Sequence, residues 1–312
     1  MRVVFMGSPA VAVPSLEALI HNNYPVVAAY TQPDRPAGRG RAMVSPPVKA
    51  VAQGRGIPVL QPDSLKSPES VTKLAHYKPD VIVVCAFGQI LTQAILDVPP
   101  YQCLNVHFSL LPRHRGASPV MAAILAGDEY TGVTIQLMRK KLDTGPVLTR
   151  AAVPISAIDT TGSLMDKLSI VGAHLLLEAL NGWLRHEAVP KVQDEDGATY
   201  FSQVTKEAGS IDWTMPAVEI WRRVRAFSPW PGSYTTWRGR QLKVTEAVPM
   251  TVEDSPGPGR VIVPAGRDIP AAVGTGDGVL GLVRVQLEGK KAMSTGDFLQ
   301  GHRDFIGTVL PG

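Results

Sequence analysis

Cysteine is scarce in this sequence, which has only Cys85 and Cys103 among its 312 residues. Both lie in apolar, strand-like segments and are typical of small buried residues in a reducing compartment. Two such residues predict neither a disulfide framework nor a metal site. We therefore expect no metal cofactor.

Long hydrophobic runs are absent as well. No stretch reaches the roughly 18 consecutive apolar residues of a membrane-spanning helix, and the first strand-like run begins at Val3 without the longer apolar segment of a signal peptide. We therefore expect a cytoplasmic protein with no membrane contact. With 45% hydrophobic and 19% charged residues, a chain of this length can bury a substantial core and most naturally forms two domains.

The glycine-rich dinucleotide-binding pattern is also missing, because Gly7 is followed by no second and third glycine at the required spacing. Strand-like and helical patterns nevertheless alternate along the first half of the chain. Residues 80–86 form a nearly continuous apolar run, which is typical of a central strand of a parallel sheet covered on both faces. These patterns predict an α/β domain.

Apolar and polar side chains alternate between residues 104 and 109, as they do in a strand with two different faces. The polar members are Asn105, His107 and Ser109. In a parallel sheet, the carboxyl end of such a strand is where α/β folds bind ligands. His107 can be a structural residue or a proton carrier, and a proton carrier needs a partner that orients its imidazole. Asp143, in a turn sequence that ends at Gly145, is the leading candidate.

The sequence around this strand resembles the signature of the folate-dependent formyltransferases. The matching residues are Asn105, His107 and Asp143, with Ser109–Leu110–Leu111–Pro112 and Arg113-x-Arg115–Gly116 between them. Members of this family move a formyl group from 10-formyltetrahydrofolate to an amine. The resemblance implies a Rossmann-like parallel-sheet formyltransferase domain in which Asn105, His107 and Asp143 are catalytic.

The chemistry of formyl transfer suggests a role for each of the three residues. Attack on the formyl carbon builds negative charge on oxygen, which the Asn105 amide and the His107 imidazole would stabilise. Protons that leave the amine and reach the folate nitrogen would pass through His107 and a water held by Asp143. A covalent route through Ser109 is disfavoured because no dedicated base accompanies that hydroxyl.

The resemblance also implies a folate site, in which residues 87–91 correspond to the loop that reads the pterin ring. The candidate cofactor-binding residues are Phe87, Gly88, Gln89, Ile90, Ser109, Leu110, Leu111 and Pro112. Phe87 stands where the family usually has a tyrosine, so an aromatic ring is kept and a hydroxyl is lost.

A basic stretch follows the second predicted strand, and residues 35–62 contain no Asp or Glu. Residues 32–41 are rich in glycine and proline and predict an irregular loop. Basic residues in a loop can simply be solvated. This stretch, however, resembles the inserted loop of those formyltransferases that act on initiator methionyl-tRNA. The resemblance implies phosphate contacts from Arg35, Arg39, Arg41 and Lys49.

The last third of the chain predicts a second domain of short strands separated by glycine turns, typical of a small β barrel. The resemblance to the tRNA-acting formyltransferases continues here and implies an OB-like barrel with Lys206, Lys290 and Lys291 as further tRNA contacts. Polar and acidic residues before it indicate a linker. We predict residues 1–189 as the formyltransferase domain, residues 190–205 as the linker and residues 206–312 as the C-terminal domain.

Two further places depart from the family pattern. His114 replaces an aromatic residue, and Arg139–Lys140–Lys141 stand where acidic and glycine residues are common. Lys140 and Lys141 could contact tRNA phosphates, contact the glutamate tail of folate, or be solvated. None of these departures affects Asn105, His107 or Asp143.

Over nearly the whole chain, the resemblance implies transfer of the formyl group of 10-formyltetrahydrofolate to the α-amino group of methionine on initiator methionyl-tRNA. The products would be N-formylmethionyl-tRNA for translation initiation and tetrahydrofolate, and we expect a monomer. One alternative is a formyltransferase for an amino-sugar nucleotide, against which the basic loop argues. Another is a non-catalytic tRNA-binding relative, against which the three intact catalytic residues argue.

Overall fold

The computed structural model describes residues 1–37, 42–254, 256–265 and 269–311. These residues form two compact units. The first comprises the described residues of Met1–Pro119, Tyr130–Pro154 and Met165–Phe201, and the second comprises Val120–Glu129, Ile155–Leu164 and the described residues from Ser202 onward. Within the described residues, no helix is long and apolar enough to cross a membrane.

The first unit contains short strands, and most of the helices along this part of the chain connect them. The strands are β1 (Val3–Gly7), β2 (Val26–Tyr30), β3 (Arg35–Ala37), β4 (Ala42–Val44), β5 (Val59–Leu60), β6 (Val81–Cys85), β7 (Cys103–His107), β8 (Arg115–Gly116), β9 (Tyr130–Leu137), β10 (Val147–Pro154) and β11 (Tyr200–Phe201). The helices along this part of the chain are α1 (Val13–His21), α2 (Pro47–Gly54), α3 (Pro68–His76), α4 (Gln93–Leu96), α5 (Pro119–Ala126) and α6 (Thr161–Leu184). Of these, α5 from Val120 onward and the start of α6, through Leu164, belong to the second unit.

The main sheet of this unit has the order β10-β9-β7-β6-β1-β2-β5. The run from β5 to β7 is parallel, whereas β9 is antiparallel to both β7 and β10. All residues of β1 and β6 are buried, because helices and loops cover both faces of a central parallel strand. The predicted Rossmann-like parallel sheet is therefore confirmed.

Both cysteines are buried in this sheet, Cys85 at the end of β6 and Cys103 at the start of β7. Burial raises the pKa of each thiol to about 12. The prediction that they are small buried residues is confirmed.

The prediction of an irregular loop at residues 32–41 is wrong in part. Arg35–Ala37 and Ala42–Val44 pair as an antiparallel two-stranded ribbon, with Pro36 opposite Met43. Proline is tolerated there because every strand of such a ribbon is an edge strand and need not donate on both sides. The predicted tRNA contacts Arg39 and Arg41 lie outside the described residues.

The second unit is built on an antiparallel sheet with the order β12-β13-β16-β15-β14, and β17 pairs with β16. The strands are β12 (Ser233–Trp237), β13 (Arg240–Met250), β14 (Val261–Ile262), β15 (Ala271–Gly274), β16 (Val279–Leu287) and β17 (Met293–Ser294), and the helices are α7 (Ala217–Ala226) and α8 (Thr295–Gly301). Register shifts near Glu246 in β13 help the sheet to curl into a half-barrel. This arrangement confirms a small barrel-like domain after the parallel sheet.

Aromatic side chains pack together in the core of this unit. The Trp237 ring meets the Phe298 and Phe305 rings edge-on, with centroids 5.5 and 5.4 Å away. All three side chains are at most 5% exposed. These contacts fix α8 and the turn after it against the sheet.

Candidate active site

The structure brings the side chains of Asn105, His107 and Asp143 together at the carboxyl end of β7. Asp143 Oδ1 lies 3.6 Å from His107 Nδ1 and 3.5 Å from Asn105 Nδ2. The side chains of His107 and Asp143 are only 6% and 7% exposed. The Asn105 amide, the His107 imidazole and the Asp143 carboxylate therefore lie together in one largely enclosed site.

The local backbone explains this convergence. Asn105 and His107 are alternate residues of β7 and so project to the same side. Asp143 has a φ of +53°, a left-handed conformation that aspartate adopts more readily than most residues. The turn then passes so close to β9 that a Cβ at Gly145 would collide with the Leu137 carbonyl. Only glycine fits at the end of the turn that presents Asp143.

Two further donors hold the Asp143 carboxylate. The Gly116 N–H donates to Oδ2 at 2.9 Å, and the Gln136 Nε2 donates to Oδ1 at 3.0 Å. Gln136 lies opposite Asn105 in the register of β9 with β7 and is 1% exposed. The carboxylate is thus fixed in position by both of its oxygens.

The other side of the His107 ring is fixed by the backbone. His107 Nε2 lies 3.0 Å from the His114 carbonyl oxygen. Because a carbonyl can only accept, Nε2 carries a proton, and Nδ1 is the nitrogen that faces Asp143. His114 itself is buried and has a φ of +57°, which turns its carbonyl toward the imidazole.

A network of polar contacts around a buried arginine lies beside the site, and sequence reasoning did not identify it. The Arg115 side chain is fully buried and donates to Gln193 Oε1 from Nε and Nη2, at 3.1 and 2.9 Å. It also donates to both carboxylate oxygens of Glu195 and to the Tyr200 hydroxyl. The hydrogen bond from Arg115 lowers the pKa of the Glu195 carboxyl. Gln193, Glu195 and Tyr200 all belong to the segment that we predicted as a linker.

This segment runs along the loop that carries Arg115. β11 pairs with β8 in parallel, and the Arg115 N–H donates to the Thr199 carbonyl at 2.8 Å. The Thr199 hydroxyl accepts from the His114 N–H at 2.8 Å. The signal for this contact was weak, because a run of aspartate, glutamate and glycine is typical of a solvated turn. Gln136 had a clearer signal, as a polar residue between the apolar Ile135 and Leu137.

The predicted pterin loop directly follows β6. Phe87 is buried, Ile90 is 74% exposed, and Gly88 has a φ of +81° that favours glycine. Gln89 donates from Nε2 to the Pro62 carbonyl at 2.8 Å, while its Oε1 is buried and has no partner among the described residues. A buried acceptor of this kind fits a ligand that presents N–H groups, as a pterin ring does.

The predicted Ser-Leu-Leu-Pro turn is fixed mainly by its own neighbours. Ser109 Oγ donates to the Arg113 carbonyl at 2.7 Å, so this hydroxyl closes the turn. The Thr134 hydroxyl donates to the Ser109 carbonyl and accepts from the Leu111 N–H. Leu110 is half-buried, Leu111 is buried and the Leu111–Pro112 peptide bond is cis.

The predicted tRNA contacts fall into two groups. Lys49 is partnered within the protein, since its Nζ lies 2.7 Å from Asp34 Oδ2 and 2.9 Å from Gln61 Oε1. Exposed positions are occupied by Arg35 on β3, by Lys206, and by Lys290 and Lys291 between β16 and β17. Lys140 and Lys141 are exposed as well.

Comparison with known proteins identifies the class. Residues 1–180 match the formyl transferase family and residues 203–303 match the formyl transferase C-terminal domain. The chain therefore belongs to the formyl transferase family. Among its relatives is the methionyl-tRNA formyltransferase of Dehalococcoides mccartyi, which is 51% identical over 310 residues, or 99% of this chain and 98% of that protein.

Solved structures with the same fold are more distant in sequence. HypX from Aquifex aeolicus in complex with tetrahydrofolic acid aligns with a TM-score of 0.64 and 20% identity, over 96% of this chain and 47% of that longer chain. An N-formyltransferase from Helicobacter canadensis, in complex with folinic acid and dTDP-3-aminofucose, aligns with a TM-score of 0.65 and 18% identity, over 90% and 98% of the two chains. At these identities the likeness supports the fold alone.

Proposed function

We propose that this enzyme transfers the formyl group of 10-formyltetrahydrofolate to the α-amino group of methionine on initiator methionyl-tRNA. The observation that carries the proposal is the cluster of Asn105, His107 and Asp143, in which Gly116 and Gln136 hold the Asp143 carboxylate. The acceptor is suggested by the relatives of about 50% identity, which are named for methionyl-tRNA. In this proposal the enzyme acts in the cytoplasm as a monomer.

The geometry favours stabilisation of an oxyanion by Asn105. Its Nδ2 lies 3.5 Å from Asp143 Oδ1, at the outer limit of a hydrogen bond. Because Nδ2 carries two N–H bonds, the amide can keep this contact with one of them and donate the other to a formyl oxygen. A fixed donor aimed at developing negative charge is worth about 10²- to 10³-fold in rate.

Proton transfer is assigned to His107 and Asp143. The His114 carbonyl holds Nε2 and its proton, so His107 can gain or lose a proton at Nδ1, beside the Asp143 carboxylate. The carboxylate can stabilise the imidazolium and hold a water that accepts the proton of the attacking amine. Formation of the new C–N bond then proceeds with loss of that proton, and breakage of the old C–N bond proceeds with protonation of the departing folate nitrogen.

The folate co-substrate is assigned to the carboxyl ends of β6 and β7, next to this cluster. Phe87, Gly88, Gln89 and Ile90 would bind the pterin ring, with the free Gln89 Oε1 as an acceptor. Leu110, Leu111 and Pro112 would contact it from the turn after β7. Ser109 would act on the backbone of that turn and not on the ligand, because its hydroxyl already bonds to Arg113.

The tRNA is assigned to the exposed basic residues. Arg35, Lys206, Lys290 and Lys291 would contact phosphates, and Arg39 and Arg41 are proposed from the sequence alone. Lys49 would contribute less, because Asp34 already neutralises its charge. Contacts of this kind position the acceptor stem and make its affinity depend on salt.

The test is a formyl-transfer assay with three acceptors: methionyl initiator tRNA, free methionine and an amino-sugar nucleotide. We expect activity on the charged tRNA alone, and a loss of at least 100-fold in Asn105→Ala and His107→Ala. Activity on the sugar nucleotide would replace the proposed acceptor. Binding of tRNA with no transfer to any acceptor would support a non-catalytic relative.

A further inference from the structure

We propose that Gln193 is a positioning residue that holds Asp143 in its active conformation. This inference rests on the proposed function, since it assumes that the Asp143 carboxylate takes part in formyl transfer. Gln193 is 7% exposed and lies in the segment between α6 and β11. It touches the backbone of the Asp143 turn and not the reacting atoms.

One amide group holds both ends of that turn. Gln193 Nε2 donates to the Asp143 carbonyl at 2.9 Å and to the Gly145 carbonyl at 2.7 Å. It also lies 3.4 Å from Gln136 Oε1. Gln136 in turn donates to the Asp143 carboxylate. Gln193 therefore fixes the backbone that presents the carboxylate and also the side chain that binds one of its oxygens.

Arg115 determines which way the Gln193 amide faces. A guanidinium can only donate, and two of its N–H groups converge on Gln193 Oε1. Nε2 must then face the carbonyls of Asp143 and Gly145. If the amide were reversed, its NH2 group would face the donors of the guanidinium and its oxygen would face the two carbonyl oxygens. The orientation is unique, and it is enforced by a fully buried charge whose own partner is Glu195.

The same short stretch holds the carboxylate from its other side. Gly116, next to Arg115, donates its N–H to Asp143 Oδ2. The left-handed φ of Asp143 is a conformation that non-glycine residues adopt only with support from their surroundings. Removal of the Gln193 amide should let this turn relax and move the carboxylate away from His107. A displacement of about 1 Å in a catalytic group can reduce the rate by about 100-fold.

Gln193→Glu tests the proposal without disturbing Arg115. The carboxylate keeps an oxygen for the guanidinium, so the fold should persist, but it places an acceptor against the Asp143 and Gly145 carbonyls. Gln193→Met removes both contacts and serves as a second variant. Gln93→Met is the matched control, because Gln93 is an exposed glutamine on α4 that donates to Asp97.

We expect both Gln193 variants to lower kcat by 10- to 100-fold, with KM for folate and for charged tRNA changed less than threefold. A double-mutant cycle with Asp143→Asn separates positioning from general damage. If Gln193 acts through the carboxylate, its substitution should change kcat less than twofold in the Asp143→Asn background. An equal loss in both backgrounds, or no loss in the parent enzyme, would overturn the proposal.

Hydrogen exchange provides a readout that does not depend on activity. The Gly116 amide, whose N–H donates to Asp143 Oδ2, should exchange at least tenfold faster in Gln193→Met and at the parent rate in Gln93→Met. Unchanged exchange at Gly116 would overturn the proposal even if no acceptor were formylated. If exchange is faster in Gln193→Met but the parent enzyme does not formylate charged tRNA, the positioning role of Gln193 stands and the proposed function is wrong.

Discussion

The ammonium group of Lys49 lies 2.7 Å from the Asp34 carboxylate, and Gln61 bonds to both groups. This triad ties α2 to the segment that leads into β3. Residues 35–62 have no acidic member, but the carboxylate that neutralises Lys49 stands one position before that stretch. A count of charges within a window therefore overstated how much of the basic charge is available to a polyanion.

The triad predicts a pH-dependent contribution to stability. Hydrogen bonds from Lys49 and Gln61 lower the pKa of Asp34 from 3.8. A carboxyl with a lowered folded-state pKa contributes stability that is present above the unfolded value and is lost as pH falls through the folded value. Urea unfolding should therefore show Lys49→Met less stable than the parent at pH 6, with the difference shrinking below pH 3.8. A difference that stays constant over this range would contradict the assignment.

Replacement of Asp143 by asparagine should abolish most of the activity and leave the fold intact. The amide keeps the shape of the side chain but removes the charge that faces His107 Nδ1. Loss of a group that handles protons costs about 10²- to 10⁴-fold in rate. Single-turnover formyl transfer should show this loss in rate. Circular dichroism should stay that of the parent, although the asparagine NH2 meets the donor of Gly116 or of Gln136 and lowers the thermal stability somewhat. A rate within threefold of the parent would exclude Asp143 from the chemistry.

Removal of Lys290 and Lys291 should weaken tRNA binding in a salt-dependent manner. Each phosphate contact that is lost should reduce the slope of log affinity against log salt by about 1. We expect the double substitution to alanine to raise KM for charged tRNA at low salt, with kcat unchanged at saturation. Lys66→Ala, which removes an exposed lysine from the first unit, is the control. An unchanged slope in the double variant would remove these two lysines from the interface.

Replacement of Tyr30 by phenylalanine should stabilise the protein. The Tyr30 hydroxyl is buried without a partner among the described residues, and burial raises its pKa. Removal of an unsatisfied buried hydroxyl relieves a desolvation cost of about 1 kcal/mol. Urea unfolding should show this gain in Tyr30→Phe. Tyr24→Phe should be destabilised instead, because the Tyr24 hydroxyl donates to Asn181.

The main sheet could be predicted because its strands carry two simple patterns. β6 is continuously apolar, as a strand covered on both faces must be, and β7 alternates, as a strand that ends in a site does. The ribbon of β3 and β4 escaped prediction because proline and glycine usually indicate irregular structure. The two strands pair only with each other and are not part of the main sheet, so they show neither a continuous apolar run nor an apolar-polar alternation.

The candidate site was predictable only in its central residues. Asn105, His107 and Asp143 could be identified from their residue types and from the resemblance of the surrounding sequence to the formyltransferase signature. Gln193 could not, because its importance depends on a buried guanidinium that lies 78 positions earlier in the chain. No local pattern encodes a contact between residues so far apart in the sequence. The acidic residues around Gln193 instead suggested a solvent-exposed linker.

The pairing of β11 with β8 has a consequence for how the chain can be divided. A fragment that ends at residue 180, where the match to the first family domain stops, would retain Asn105, His107 and Asp143. It would lack Gln193, Glu195 and the stretch from Thr199 to Phe201 that lies along Arg115. A buried arginine would then face solvent without its counter-charge. Expression of the first domain alone should therefore keep every residue through Phe201, since a shorter fragment would have Asn105, His107 and Asp143 but not the segment that binds Arg115.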